Sequence, residues 1–178
     1  MQDDDRLMQR AQTGDARAFA ELFDRYRRPI FNYLRRMGMN RTIAEDGTQD
    51  VFLKLWERRA QYRPEGAFST YLYRIAHNYR VNQLRRGPVD GGRFLDGREG
   101  ASSDPADLAE QSDLVDRMRQ ALDTLPEHLK EAFVLKRLQE MPYAEVARVT
   151  GCTAREAETQ VTQAFEKLAK ALKPGRTS

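Results

Sequence analysis

Between Phe19 and Leu34 the apolar residues Phe19, Leu22, Phe23, Tyr26, Ile30, Phe31 and Leu34 recur every three or four positions. That period puts them on one side of a helix and predicts a long amphipathic element with one buried stripe. Asp15 precedes it as an N-cap and Gly38 follows it as a left-handed stop. Pro29 lies inside it and should kink it, because it has no N–H to donate. A shorter helix is predicted over Asp4 to Gln12, stopping at Gly14. "TIAE", Thr42 to Glu45, reads as a capping box opening a third helix that buries Ile43, Val51, Phe52, Leu55 and Trp56. "YRPEGAF" has no period and predicts a loop. "STYLYRIAHNYRVNQLRR" predicts a fourth helix with Tyr71, Leu72, Ile75, Tyr79 and Leu84 as candidate core or half-buried positions.

The pattern then breaks. Gly87 to Glu110 holds five glycines, two prolines and Ser/Asp clusters, a linker composition, with a helix resuming near Pro105 to Leu114. Beyond it "SDLVDRMRQALDTL" predicts a helix. Pro126 opens the next at its first position, with Leu129, Phe133, Val134 and Leu138 inward. "YAEVARVTG" predicts a short helix ended by Gly151. "TARE", Thr153 to Glu156, is a second capping box, and Ala157, Val161, Ala164, Phe165, Leu168 and Leu172 form the stripe of the last helix. Nothing alternates with period two over a useful length. The expectation is an all-α chain of two small helical domains, residues 1–87 and 113–178, joined by a flexible linker at 88–112. A short helix, a glycine turn and a longer capped helix make the second domain a candidate helix-turn-helix.

Composition narrows the function. The 178 residues are 32% charged and 40% hydrophobic, as in a soluble helical protein. No run of apolar residues is long enough for a membrane span, so no membrane insertion is expected. "MQDDDRLMQR" is acidic and lacks the apolar stretch of a secretory signal, which fits a cytoplasmic location. One cysteine, Cys152, and two distant histidines, His77 and His128, allow neither an internal disulfide nor a metal-ligand cluster. With no nucleophile–base set and no phosphate loop, neither an enzyme nor a cofactor is expected. The net charge of +3 is unevenly spread. Residues 1–87 hold 17 Lys/Arg against 11 Asp/Glu, residues 88–112 hold 2 against 6, and residues 113–178 hold 11 against 10. A basic first part suits a polyanion, although a solvated mixed-charge surface would give the same count.

Three features carry chemistry. The first is the helix-turn-helix pattern at Tyr143 to Leu172. The second is the interleaving of Tyr62, Phe68, Tyr71, Tyr73 and Tyr79 with Arg63, Arg74, Arg80, Arg85 and Arg86. Rings stack on unpaired bases and arginines hold phosphates, so this suits single-stranded nucleic acid; the alternative is that most of the rings are core. The third is "AEDGTQDVFLKLW", where Glu45, Asp46, Gln49 and Asp50 share one side of a helix and could dock a basic partner surface.

"LMQRAQTGDARAFAELFDRYRRPIFNYLRRMG", "AEDGTQDVFLKLWERRAQYRP", "FSTYLYRIAHNYRVNQLRR" and "LPEHLKEAFVLKRLQEMPYAEVARVTGCT" occur in that order, and together they resemble the bacterial RNA polymerase sigma factors of the extracytoplasmic-function group. The resemblance implies a factor that binds core RNA polymerase and promoter DNA, with an anti-sigma factor as a further partner. It implies that Asp46, Gln49 and Asp50 contact the β′ clamp helices. Gly47 and Thr48 stand where the family usually has apolar residues. Thr48 is a candidate phosphorylation site or simply a tolerated small residue. The loop Arg63, Glu65, Gly66, Ala67 and Phe68 resembles the one that captures a base flipped from the −10 element, and the helix with Tyr71, Asn78, Arg80, Asn82, Arg85 and Arg86 the one that contacts −10 DNA. The second domain would reach the β flap and the −35 element.

The last helix departs from the family pattern. Its Lys/Arg contacts are replaced by Glu158, Gln160, Gln163 and Phe165, and Gly151 to Leu168 carries three glutamates against Arg155 and Lys167. Three readings follow. Arg155, Glu156, Thr159, Gln160 and Gln163 read a different −35 sequence, which is favoured because Arg155 stays near the helix N-terminus. Alternatively the domain serves mainly protein contacts at the flap or an anti-sigma factor, or the motif only packs against another protein. Two rivals to a sigma factor are a stand-alone helix-turn-helix regulator and a sigma-like decoy that sequesters an anti-sigma factor.

Overall fold

The computed structural model describes residues 3–87 and 108–172, with side chains of the second stretch described from Val115 onward. Most of the predicted linker lies outside the described residues. Eight α-helices run in order among those described: α1 Asp3–Gln12, α2 Ala16–Arg36, α3 Arg41–Glu57, α4 Phe68–Arg86, α5 Leu108–Asp123, α6 Glu127–Phe133, α7 Tyr143–Thr150 and α8 Ala154–Leu172. A 3₁₀ turn at Arg59–Gln61 and a π-helical turn at Val134–Leu138 join them. No strand occurs among the described residues, and no helix there is long and apolar enough to cross a membrane.

The first four helices follow from local chemistry. The Asp15 carboxylate accepts from the amides of Arg17 at 3.0 Å and Ala18 at 3.1 Å, satisfying donors that the helix cannot. α2 runs on through Pro29 to Arg36 and buries Leu22, Ile30, Tyr33 and Leu34. The predicted capping box at Thr42 is corrected. Asn40 is the N-cap, accepting from the Ile43 amide at 2.8 Å, and Glu45 pairs with Arg41 instead. Asn40 supplies a cap oxygen two residues earlier, which leaves Thr42 in the first turn.

Gly47 is where α3 crosses its neighbours. A Cβ there would lie 2.5 Å from Tyr79 Cε1 and 2.9 Å from Leu34 Cδ1. The glycine costs the helix about 1 kcal/mol, but it lets α3 approach α4 and α2 closely. Thr48 is buried beside it, and its hydroxyl donates to the Ala44 carbonyl at 2.7 Å. These two positions therefore face the core.

In the second half, α6 begins at Glu127 with Pro126 as its cap, one residue later than predicted. Leu138 is exposed rather than inward. The reason is the π-helical turn, closed by a bond from Gln139 N to Val134 O. An i→i+5 turn breaks the 3.6-residue register on which the inward position was read. Phe165 is likewise 57% exposed. The buried stripe of α8 is Ala157, Val161, Ala164 and Leu168, and Phe165 lies about 40° around the helix beyond the Val161 edge of that stripe. Leu84, in the last turn of α4, is also exposed.

The second capping box is present as read. Thr153 N donates to Glu156 Oε2 at 2.7 Å, and Glu156 N donates to Thr153 Oγ1 at 3.2 Å. These bonds hold the Glu156 carboxyl below its ordinary range. Thr153→Ala is expected to destabilise the chain by about 1 kcal/mol, read as a lower midpoint in urea unfolding. An unchanged midpoint would contradict it.

The two halves share one apolar core. Ala132, Val134, Leu135, Met141, Val146, Ala147, Val149, Ala157 and Val161 belong to the same buried cluster as Tyr33, Phe68, Leu72 and Tyr73. α7 packs directly on α4. A smaller cluster, including Ala121, Leu122, Leu129, Ala164 and Leu168, fixes α5 and α6 against α8.

Candidate functional site

The outward side of α3 presents Asp46 and Gln49, both exposed, and Asp50, half-exposed and paired with Lys54 at 2.7 Å. Leu53 continues this face and is 56% exposed. Because Gly47 and Thr48 point inward, the outward side is left acidic, amide-bearing and edged by one apolar side chain.

The loop after the 3₁₀ turn rests on a wall of rings. Tyr62 is buried, and its hydroxyl donates to Asp5 Oδ1 at 2.8 Å; burial first, then this bond, pushes its pKa up. Its carbonyl accepts from Gln12 Nε2 at 3.0 Å. Phe68 is fully buried, edge-on to Tyr26 at 5.4 Å and to Tyr62 at 6.1 Å, and Tyr71 is edge-on to Tyr62 at 5.1 Å. Arg63, Glu65 and Gly66 are exposed above this wall and Ala67 is half-buried. Of the two readings of the interleaved aromatics, the core reading holds for Tyr62, Phe68, Tyr73 and Tyr79, all buried.

On α4, Asn78, Asn82, Arg85 and Arg86 are exposed at helical spacing and form one stripe. Arg74 extends it by a turn and also belongs on this surface; it was legible from its four-residue step to Asn78. Arg80 is not on the stripe. It is 5% exposed and turned toward α6.

The helix-turn-helix is α7, a left-handed Gly151 with φ of +77°, and α8. Arg155, Glu156, Thr159 and Gln163 are exposed. Gln160 is half-buried, with its Oε1 lacking a partner. Arg155, Glu156, Thr159 and Gln160 line a shallow depression with Thr153 and with His128 of α6. Sequence spacing could not find His128, because it comes from a different helix. Two of these groups are already engaged: Glu156 in the capping box, and the Thr159 hydroxyl with the Arg155 carbonyl at 2.9 Å.

The contact between halves is polar as well as apolar. Glu131 of α6 is 3% exposed. One of its carboxylate oxygens accepts from the Tyr33 hydroxyl and lies 2.7 Å from His77 Nδ1; the other accepts from Arg80 Nη2 at 2.6 Å. Arg80 Nη1 reaches Glu127 at 2.8 Å. Burial alone would raise the Glu131 pKa, but the His77 contact and the Arg80 charge outweigh it and hold the carboxyl below its ordinary range. Burial, with the Glu131 charge added, pushes the Tyr33 hydroxyl far up. Alongside, Tyr73 donates to Gln139 at 2.5 Å, Thr70 donates to Glu145, and Arg148 donates to the Glu65 carbonyl.

These surfaces fall within two recognised segments. Residues 22–87 match the Sigma-70 region 2 family model, and residues 116–168 match Sigma-70, region 4. The ECF RNA polymerase sigma-E factor of Haemophilus influenzae is 31% identical over 96% of this chain and 96% of its own length. The chain belongs to the ECF family of RNA polymerase sigma factors. The sigma-H factor of Pseudomonas aeruginosa is 29% identical over 96% of this ECF sigma factor and 94% of its own length. Two solved structures share the fold. CnrH, in complex with the cytosolic domain of CnrY, superposes with a TM-score of 0.73 at 24% identity, over 95% of this chain and 96% of that one. The sigma factor RpoE of Bartonella quintana, in complex with the anti-sigma factor NepR, gives 0.71 at 21% identity, over 89% and 98%. In this sigma factor, region 2 therefore carries the acidic face of α3, the loop and the α4 stripe, and region 4 carries the helix-turn-helix. As an ECF sigma factor the chain is an alternative sigma factor that directs promoter-specific initiation by RNA polymerase.

Proposed function

We propose that the α3 face docks on the β′ clamp helices of core polymerase through Asp46, Gln49 and Asp50. The observation that carries this is the division of α3 into an inward Gly47 and Thr48 and an outward acid–amide face. An acidic helix fits a basic partner, where charge complementarity sets register and speeds encounter. The burial of Thr48 speaks against its phosphorylation in the folded chain, since the hydroxyl faces the core and is bonded to the backbone.

The loop Arg63, Glu65, Gly66 and Ala67 receives the flipped −10 base, with Phe68 and Tyr71 acting beneath it as a rigid floor. Asn78 and Asn82 read base edges, while Arg74, Arg85 and Arg86 hold phosphate. Region 4 docks at the β flap and the −35 element. There Arg155, Gln160 and Gln163 are the readers, because Glu156 and the Thr159 hydroxyl have partners within the helix. The factor acts in the cytoplasm, at the nucleoid, and catalyses no reaction itself. An anti-sigma factor is its further partner and could hold it at the membrane.

Asn78→Ala and Asn82→Ala test this reading. Each is expected to lose about 1–3 kcal/mol of discrimination at one −10 position, seen as a relaxed base preference there when transcription is run from randomised promoters. Arg85→Ala is expected to weaken all sequences alike. Equal, sequence-independent losses in all three variants would overturn the assignment.

A further inference from the structure

We propose that α1 is a brace for the base-capturing loop: Asp5 and Gln12 are positioning residues that set the geometry in which Arg63, Glu65, Gly66 and Ala67 hold a flipped −10 base. The inference rests on the reading of that loop as the receiver of the base.

Tyr62, the residue just before the loop, is gripped at both ends by one helix. Its hydroxyl donates to Asp5 Oδ1 at 2.8 Å, and its carbonyl accepts from Gln12 Nε2 at 3.0 Å. Asp5 is 6% exposed and Tyr62 2%, so water does not compete for the first bond. The same carbonyl accepts from Arg63 Nη1 at 3.0 Å, and that nitrogen also reaches the Ala60 carbonyl at 3.3 Å. A carbonyl oxygen has two lone pairs. Gln12 occupies one and Arg63 the other, so Gln12 fixes the oxygen on which the guanidinium of the loop rests. The loop then tightens through Glu65 N, which donates to Arg63 O at 2.8 Å.

The floor under the loop is held from the same helix. Asp4 Oδ2 accepts from the Tyr26 hydroxyl at 2.6 Å. Tyr26 and Tyr62 both meet Phe68 edge-on, so successive aspartates of α1 anchor both rings. All three carboxylates, Asp3 to Asp5, lie in the first turn, where the positive end of the helix dipole stabilises them. Arg25 of α2 ties Asp3 at 2.8 Å and Asp4 at 2.7 Å.

Burial alone does not require this chemistry. An apolar pair of the same shape fills such a site about as stably, because a buried hydrogen bond only replaces bonds to water. What fixed polar atoms add is direction. A flipped base is read by hydrogen bonds, and a binding site works when its groups are held within about 0.5 Å by neighbours that are themselves locked. The brace is remote in sequence: Asp5 and Tyr62 are 57 residues apart, and α1 precedes the segment 22–87 matched to region 2.

Transcription by core polymerase with the full-length chain, from promoters randomised through the −10 element, reads base preference position by position. Asp5→Ala and Gln12→Met are expected to flatten the preference at one −10 position by about ten-fold. The positions read from α4 should stay as in the wild type. Asp5→Asn keeps an acceptor oxygen for the Tyr62 hydroxyl and should retain the preference. Gln12 is half-buried, so Gln12→Met carries the test if Asp5→Ala fails to fold. A merely structural brace would weaken transcription from all −10 sequences alike, in step with the melting temperature; that result overturns the proposal. Arg63→Ala, in the loop itself, separates the two possible failures. If it flattens one position while Asp5→Ala and Gln12→Met keep the wild-type preference there, the brace fails and the loop reading stands. If Arg63→Ala changes no position, the loop reading fails and the brace with it.

Discussion

Phe68→Ala is expected to lower the stability of the chain by about 3–5 kcal/mol, the largest effect of any single truncation considered. Phe68 is fully buried and begins α4 directly after the loop. Its ring meets Tyr26 from α2 and Tyr62 from the 3₁₀ turn, so one side chain ties three elements together. Truncation leaves a cavity that two further aromatic rings border, and rigid rings collapse poorly into a void. Domains are stable by only about 5–15 kcal/mol, so the loss is a large share of the whole. At this chain length it corresponds to roughly 10 °C or more in melting temperature. The loop should lose its floor before the rest unfolds, and transcription should fall at temperatures where the fold persists. Thermal unfolding followed by circular dichroism checks the stability; a midpoint within two or so degrees of wild type would contradict the account. Phe68→Leu, which keeps most of the volume, should recover most of it.

Reversing the charge of the α3 face should have the opposite profile: little effect on folding and a large one on polymerase binding. In the double variant Asp46→Arg, Asp50→Arg the altered side chains lie outside the core. The only described intramolecular ion pair lost is Asp50–Lys54, a surface pair worth about 0.3–0.5 kcal/mol. Against the basic partner surface proposed for the β′ clamp helices, each reversal replaces attraction with like-charge repulsion. Removing one partner of a close interfacial charge pair costs about 2–5 kcal/mol, so affinity for core should fall by at least roughly a hundred-fold for the pair. Titration of labelled chain with core polymerase measures this beside a melting curve. Binding within a few-fold of wild type would remove the α3 face from the interface. Loss of binding together with loss of fold would mean that the residues are structural.

Helix existence and type were legible wherever the apolar period was long and unbroken, as in α2 and α8, and wherever a cap had one available residue, as at Asp15 and Thr153. Boundaries failed where two caps competed: Thr42 had the capping-box pattern, but Asn40 lay nearer the true start. Burial failed where the helical period itself changed. The π-helical turn moved Leu138 out, and a position just past the edge of the α8 stripe left Phe165 in solvent. The candidate site divided along the same line. Asp46, Gln49, Asp50, Asn78 and Asn82 sit on uninterrupted helices, so spacing placed them on the surface. Arg80 has the same composition as Arg85 and Arg86, yet it faces α6, because its environment comes from a segment some fifty residues away. The contact of region 4 with region 2, and the part played by Glu131 and His128, could not be read from spacing at all, since no local pattern encodes which helix packs on which.

The most direct test of the central claim is to map transcript 5′ ends on genomic DNA with core RNA polymerase, with and without this chain. The account predicts new start sites that share a −10 motif, and a −35 motif if Arg155, Gln160 and Gln163 read bases. Identical start sites with and without the chain would contradict it.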